Sequence, residues 1–197
     1  MEENYKNKWN VVKMKEINKL PVYGKNVKLS VSKLLAEEDK VIVQSFDCGN
    51  EVINSYLKEY AYQDPQSATF VIYDLEKNFV VSYYSLSCSG FVLNLNSHIT
   101  IYPAVEIKMF AVDDNYKHVL FSPDDKFTLS DYIFSNVIAK IYDFTEKTCG
   151  ADKIILYAVP QAENFYIKNG FTRFQDFMLQ SESKFLDGCI LCTWICK

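Results

Sequence analysis

A mixed α/β layer around a central sheet is the fold class this sequence predicts, and three observations carry it. Two β-type runs, SATFVIYDL (67–75) and NFVVSYYSLSC (78–88), meet at the polar turn 76–78, a hairpin pattern. FTLSDYIFSNVIAKIYDFTEKTCG (127–150) places Leu129, Ile133, Val137 and Ile141 at i+4 spacing, the stripe of a long amphipathic helix. KIILYAV (153–159) is a nearly continuous apolar run, as expected of a strand covered on both faces. Strands that alternate with helices in this way layer helices against a sheet of about six to seven strands.

The elements follow in order. KVIVQSF (40–46) reads either as a strand or as the end of a short helix. In FDCGNEVINSYLKEYAYQD (46–64), Val52, Ile53, Tyr56, Leu57 and Tyr60 form a helical stripe, with Asp47 or Asn50 as N-cap and Asp64-Pro65 as the stop. After the hairpin, Pro103 opens another β-like run, PAVEIKMFAVDD. Thr128 with Asp131 makes an N-terminal capping pair for the long helix, and Gly150 marks its end. Pro160 stops KIILYAV and fits the first turn of a helix through Asn169, with Gly170 as a left-handed C-cap. Two strands close the chain, roughly FQDFMLQSE (174–182) and CILCTWIC (189–196). Residues 1–27 read as a lysine-rich arm and 28–197 as one domain.

Composition narrows the function. No apolar run approaches the ~20 residues of a membrane helix, and the charged N-terminus has no signal-peptide core, so a cytoplasmic protein with no membrane partner is expected. The net charge is −4 and Arg173 is the only arginine, so nucleic acid is an unlikely partner. Cys189 and Cys192 would face opposite sides of a strand, so buried thiols are expected there and no metal.

Three local patterns then fall in one order: FDCGNEVINSYLKEYA before the hairpin, EIKMFAVDDNY, and AENFYIKNGF after the strand that follows the long helix. Together they resemble the GNAT superfamily of acetyl-CoA-dependent N-acetyltransferases from about residue 40 to about residue 196. The opening F-D-C-G with I-N-x-Y-L is similar to the branch that contains aminoacyl-tRNA-acetylating toxins. The resemblance implies acetyl-CoA as acyl donor, an amine acceptor, Tyr166 as general acid and Glu106 as a base acting through water. It also implies that the backbone of Phe110, Ala111 and Val112 holds the pantetheine arm, with Asn164 counted among the cofactor residues. On their residues alone, Tyr166 is equally a core aromatic, Glu106 a surface strand residue, and MFAV a plain buried strand.

The sequence departs from the family at one place. A glycine-rich turn usually precedes the long helix and wraps the CoA diphosphate in N–H groups. Here DDNYKHVLFSPDDKFTLSD stands instead, with no glycine between Gly90 and Gly150. The expected diphosphate ligands are therefore Lys117, Lys126, the free N–H groups from Leu129 onward and the Ser130 hydroxyl. Three readings follow: acetylation of a small or peptidic amine, toxin-type acetylation of aminoacyl-tRNA, or a non-catalytic binding module that keeps the fold.

Overall fold

The structure is a computed structural model that describes residues 20–22, 25–95, 98–120, 126–174 and 190–195. A short ribbon of β1 (Leu20–Val22) and β2 (Lys25–Val27) precedes the main sheet. That sheet holds β3 (Lys33–Leu34), β4 (Ala68–Asp74), β5 (Phe79–Leu95), β6 (His98–Val112), β7 (Lys153–Ala158), β8 (Thr172–Arg173) and β9 (Ile190–Ile195), in the order β3-β4-β5-β6-β7-β9-β8. Every neighbouring pair is antiparallel except β6 with β7. A parallel step needs a crossover, and the long helix α3 (Leu129–Phe144) supplies it. The remaining helices are α1 (Glu51–Ser55), α2 (Asp114–Lys117) and α4 (Glu163–Lys168).

Helices cover both faces. On one, Leu129, Ile133, Val137 and Ile141 of α3 pack with Val105, Ile154 and Leu156 of the sheet and Tyr166 of α4. On the other, Val43, Phe46, Leu57 and Ala61 cover Val71, Val80, Tyr83, Met109 and Ala111. Each fully buried aliphatic or Phe side chain contributes ~1.5–3 kcal/mol by leaving water, so the α3 stripe alone anchors the crossover. Thr128 caps α3 in a reciprocal box with Asp131, and Gly150 closes the π-turn after it at φ 65°. The arm expected over 1–27 lies largely outside the described residues, and Val27 at its end is already buried in the core.

Three expectations are corrected. Residues 40–46 are neither a strand nor a regular helix end but part of two 3₁₀ turns, Glu37–Lys40 and Ile42–Ser45, which drop Val43 and Phe46 into the core. The strand expected to open at Pro103 begins earlier. β5 and β6 form one long hairpin, paired from Ser82↔Val112 out to Leu95↔His98. No Asp, Glu, Lys or Arg interrupts the chain between Lys77 and Glu106, so nothing in that stretch opposes pairing. Pro103 is tolerated because the β7 ladder starts only at Ala104, leaving the strand an edge at the proline.

The stripe assigned to the helix after Asn50 holds at Ile53, Tyr56 and Leu57 but not at its two ends. Val52 and Tyr60 are 57% and 56% exposed, while Ile53, Leu57 and Ala61 form the inner row. Buried Asn54 fixes this rotation: its amide donates to Asp47 Oδ1 at 2.8 Å and accepts from the Cys48 N–H at 3.0 Å. Beyond Ser55 the helix widens into a π-turn, Tyr56–Tyr60. The C-terminal run 174–182 lies outside the described residues but for Phe174, and the chain pairs with β9 earlier, at Thr172–Arg173. Cys192 is buried on β9, while Cys189 and Cys196 lie outside the described residues.

Candidate active site

A bulge in β6 builds the site. Ser85 pairs with Met109 but Leu86 pairs with Ile107, so Lys108 is the extra residue. The side-chain parity confirms it. Val105 and Ile107 face the α3 side, and so do Phe110 and Val112, whereas an unbroken strand would have put Met109 and Ala111 there. Pairing with β7 stops at the same place, since the last partners are Ile107↔Leu156 although both strands run on. The bulge bends β6 away, and a wedge opens between the parallel strands.

Backbone groups line that wedge. The Asp113 N–H donates to the Val81 carbonyl, and the Ala111 carbonyl accepts from Ser82 Oγ at 2.7 Å, so these residues turn toward β5. By antiparallel alternation, Phe110 and Val112 turn their N–H and C=O groups to the opposite side, where β7 has left. Of the three expected backbone positions, Phe110 and Val112 face the wedge, and Ala111 is committed to the sheet. The Phe110 ring packs between Phe134 and Phe165.

Tyr166 enters from the α3 side. Pro160 starts a 3₁₀ turn that leads directly into α4, and Gly170 at φ 92° reverses the chain into Phe171. The Tyr166 ring packs edge-on against Phe134, Phe165 and Phe171. Among the described residues nothing hydrogen-bonds its hydroxyl. Burial, with the nearby Cys192 thiol adding, pushes the phenol well above its ordinary pKa, so it stays protonated at neutral pH. Asn164, two residues earlier, is exposed.

Glu106 lies across the sheet, on the face opposite Val105 and Ile107. Burial raises its carboxyl pKa, partly offset by a hydrogen bond from Ser89 and the charge of Lys108. Beside it, the Lys108 ammonium pairs with Asp64 at 2.7 Å. Asp64 also accepts from Tyr56 Oη and Ser67 Oγ, each at 2.9 Å. Burial works against the Asp64 carboxylate, yet Lys108, the Gln66 N–H and the two hydroxyls outweigh it and hold its pKa below the ordinary range. Sequence reasoning missed the Lys108–Asp64 pair, because its members lie 44 residues apart and only the fold brings them together. Glu106 and Tyr166 thus lie on opposite faces of the sheet.

Two of the sequence patterns meet structurally. In FDCGN, Asp47 accepts from the Gly49 N–H and from Asn54, both at 2.8 Å. In VDD, Asp113 Oδ2 accepts from the Asp47 N–H at 3.0 Å, and the Asp114 N–H donates to the Asp47 carbonyl. Lys117 belongs to this joint: it pairs with Asp114 at 2.6 Å and donates to the Cys48 carbonyl at 2.8 Å. Its ammonium ties α2 to the α1 loop instead of standing free for a diphosphate.

The N-terminus of α3 is likewise occupied. The Leu129 N–H donates to the Val119 carbonyl at 2.7 Å, and Ser130 Oγ donates to the Lys117 carbonyl at 2.7 Å. The expectation of a free Leu129 donor and Ser130 hydroxyl is therefore corrected: both cap the preceding turn. The Lys126 side chain stays exposed beside this end. Residues 121–125, with Asp124 and Asp125, lie outside the described residues. Of the side chains expected at a diphosphate, Lys117 and Ser130 are thus engaged within the fold, and Lys126 is exposed. Among the described residues there is no metal-binding cluster and no helix long and apolar enough to cross a membrane.

No family model and no curated protein matches the sequence. Solved structures do match the fold. The KacTA–DNA complex aligns with TM-score 0.64 at 18% identity, over 85% of this chain and 93% of that one. A Tyr→Phe mutant of the AtaT toxin, bound to the C-terminus of the antitoxin AtaR and acetyl-CoA, aligns with TM-score 0.63 at 16% identity, over 85% and 93%. AtaT complexed with acetyl-methionyl-tRNAfMet aligns with TM-score 0.59 at 18% identity, over 83% and 93%. The DNA and tRNA complexes leave the expectation against nucleic acid without support. With its seven-stranded mixed sheet, its wedge between β6 and β7 and these likenesses, the chain has the fold of the GNAT superfamily.

Proposed function

We propose that the protein is an N-acetyltransferase that takes its acetyl group from acetyl-CoA and passes it to an amine. The wedge between β6 and β7 carries this reading, because it leaves backbone groups of Phe110 and Val112 without a strand partner among the described residues. Backbone donors aimed at a developing oxyanion are a large electrostatic contribution to acyl transfer. Glu106, its pKa raised by burial, takes a proton from the acceptor ammonium through water, which an amine of pKa about 10.4 requires before attack. Tyr166, protonated at neutral pH, gives its hydroxyl proton to the departing thiolate.

The acceptor we infer is the amino group of an aminoacyl-tRNA, and a small or peptidic amine is the second reading. Two observations favour tRNA. The FDCGN and VDD patterns are built into one joint beside the site, and AtaT, which shares the fold, was solved with acetyl-methionyl-tRNAfMet. Arg173, the only arginine, is paired with Glu163, so phosphate contacts would come from lysines and weaken steeply with salt.

Calorimetric titration with acetyl-CoA at low salt tests the first step, and labelled acetyl transfer to charged tRNA or to free amino acids tests the second. Modest acetyl-CoA affinity that falls with ionic strength is expected, with Lys126→Ala weakening it several-fold. Absence of binding would leave a non-catalytic module. Transfer to free amino acids but not to charged tRNA would move the acceptor to the small amines.

A further inference from the structure

We infer that Asp131, at the start of α3, is a positioning residue for Tyr166 and acts through the polypeptide on both sides of that tyrosine. This rests on Tyr166 being the general acid. Helix α4 spans only Glu163–Lys168, and its N-cap, Ala162, offers no side-chain acceptor. A helix this short is not stable in isolation, so tertiary contacts must place it. The aromatic packing around Tyr166 holds it in the core, but ring contacts are weakly directional and permit rotation or sliding.

Asp131 supplies the direction. It is 1% exposed, and Oδ1 accepts from Asn169 Nδ2 at 2.9 Å. Oδ2 accepts from Lys168 Nζ at 2.6 Å, the Thr128 N–H at 2.8 Å and Thr128 Oγ1 at 2.9 Å. Asn169 passes the constraint on, since its N–H and its Nδ2 both donate to the Phe165 carbonyl, at 3.1 and 2.9 Å. The carbonyl of Tyr166 itself accepts from the Phe171 N–H at 3.0 Å. Lys168 also donates to the Lys126 carbonyl at 2.9 Å, which fastens the same end of α4 to the segment before α3. A carboxylate needed only as a capping-box partner would satisfy Thr128 alone. This one spends half of its contacts on the two residues that close the tyrosine helix.

The test is a double-mutant cycle between Asp131→Asn and Tyr166→Phe, read in steady-state acetyl transfer. Asparagine keeps the volume and, with its oxygen in the Oδ2 place, an acceptor for Thr128, but it removes the charge that holds Lys168 and turns an N–H₂ toward the Asn169 amide donor. The single variant should lose on the order of 10-fold in kcat, with KM for acetyl-CoA changed less than about 3-fold, since a misplaced acid costs the transition state and not binding. In the Tyr166→Phe background the same change should cost less than about 2-fold, because there is no longer a hydroxyl to misplace. Losses that multiply independently would overturn the inference and leave Asp131 a capping residue. If Asp131→Asn does not fold, Lys168→Ala carries the cycle, its side chain being 47% exposed, with the same two outcomes. If Tyr166→Phe is as active as wild type, the failure lies with the general acid and not with the clamp, and amide exchange across 163–170 in Lys168→Ala decides the clamp by itself: faster exchange confined to that segment supports it, and unchanged exchange sinks it.

Discussion

Tyr166 and Glu106 sit on opposite faces of the sheet, so each can be changed without disturbing the packing of the other. Tyr166→Phe removes one hydroxyl that no described residue binds, and the fold should survive. Turnover should fall on the order of 100-fold with KM for acetyl-CoA little changed. Equal turnover where chemistry limits the rate would remove the hydroxyl from the mechanism. For Glu106 the signature is in the pH profile. The wild-type rate should fall on the acid side as the carboxyl, raised by burial, takes up its proton. Glu106→Gln should be slow near neutral pH and recover toward high pH, where the acceptor amine deprotonates unaided. A profile matching wild type would leave Glu106 a structural residue. Gly49 carries a purely structural prediction: at φ 76° it is left-handed, and an added Cβ would come within 2.9 Å of Asp114 Oδ2. Gly49→Ala should cost ~1–2 kcal/mol in denaturant unfolding and loosen the joint between FDCGN and VDD.

Elements whose signal is local were legible in the sequence, and those set by pairing were not. The α3 stripe, its Thr128–Asp131 box and the Gly150 stop are all written within one helix, and each stands as expected. The same holds for KIILYAV, Pro160 and the tyrosine helix. Thr128→Ala should therefore behave as an ordinary cap deletion, losing ~1 kcal/mol in thermal or denaturant melts, and a change within experimental error would show the box to be idle. The bulge at Lys108 left no trace in EIKMFAV, because it exists only as a mismatch in its pairing with β5. Its consequences were hidden with it: the wedge and the exchange of faces that turns Met109 and Ala111 away from α3. The α1 stripe misled for a related reason, since i+4 spacing fits both Val52–Tyr56–Tyr60 and Ile53–Leu57–Ala61. Only the anchored Asn54 decides which row faces inward. At the start of α3 the lost glycine turn was readable, but not that Val119 and Lys117 carbonyls would take up the helix-end donors.

For the molecule as a whole, the buried carboxylates set the response to acid. Asp39 is held by the Ala36 N–H and Lys33, Asp64 by Lys108, and Asp131 by Lys168 and Thr128. In each, burial alone would raise the pKa, and the partners outweigh it to leave the pKa below the ordinary carboxylate value. Groups depressed in the folded state add stability that is fully present above the unfolded pKa of about 3.9 and is lost as pH falls toward the folded value. Glu106 works the other way, because its raised pKa makes protonation favour the fold, but it stands against these three and Asp47, which is lowered by the Gly49 N–H and Asn54. The melting temperature should therefore hold from neutral pH to about pH 5 and drop steeply from about pH 4 downward. Asp64→Asn isolates one contribution. It should lower stability at pH 7 by on the order of 2 kcal/mol, since Lys108 is left half-buried without its partner. It should also flatten the acid limb, so that the gap between wild-type and variant melting temperatures narrows as pH falls below about 4. Curves that stay parallel over that range would mean that the Asp64–Lys108 pair does not govern the acid response, and that the slope belongs to Asp39 and Asp131.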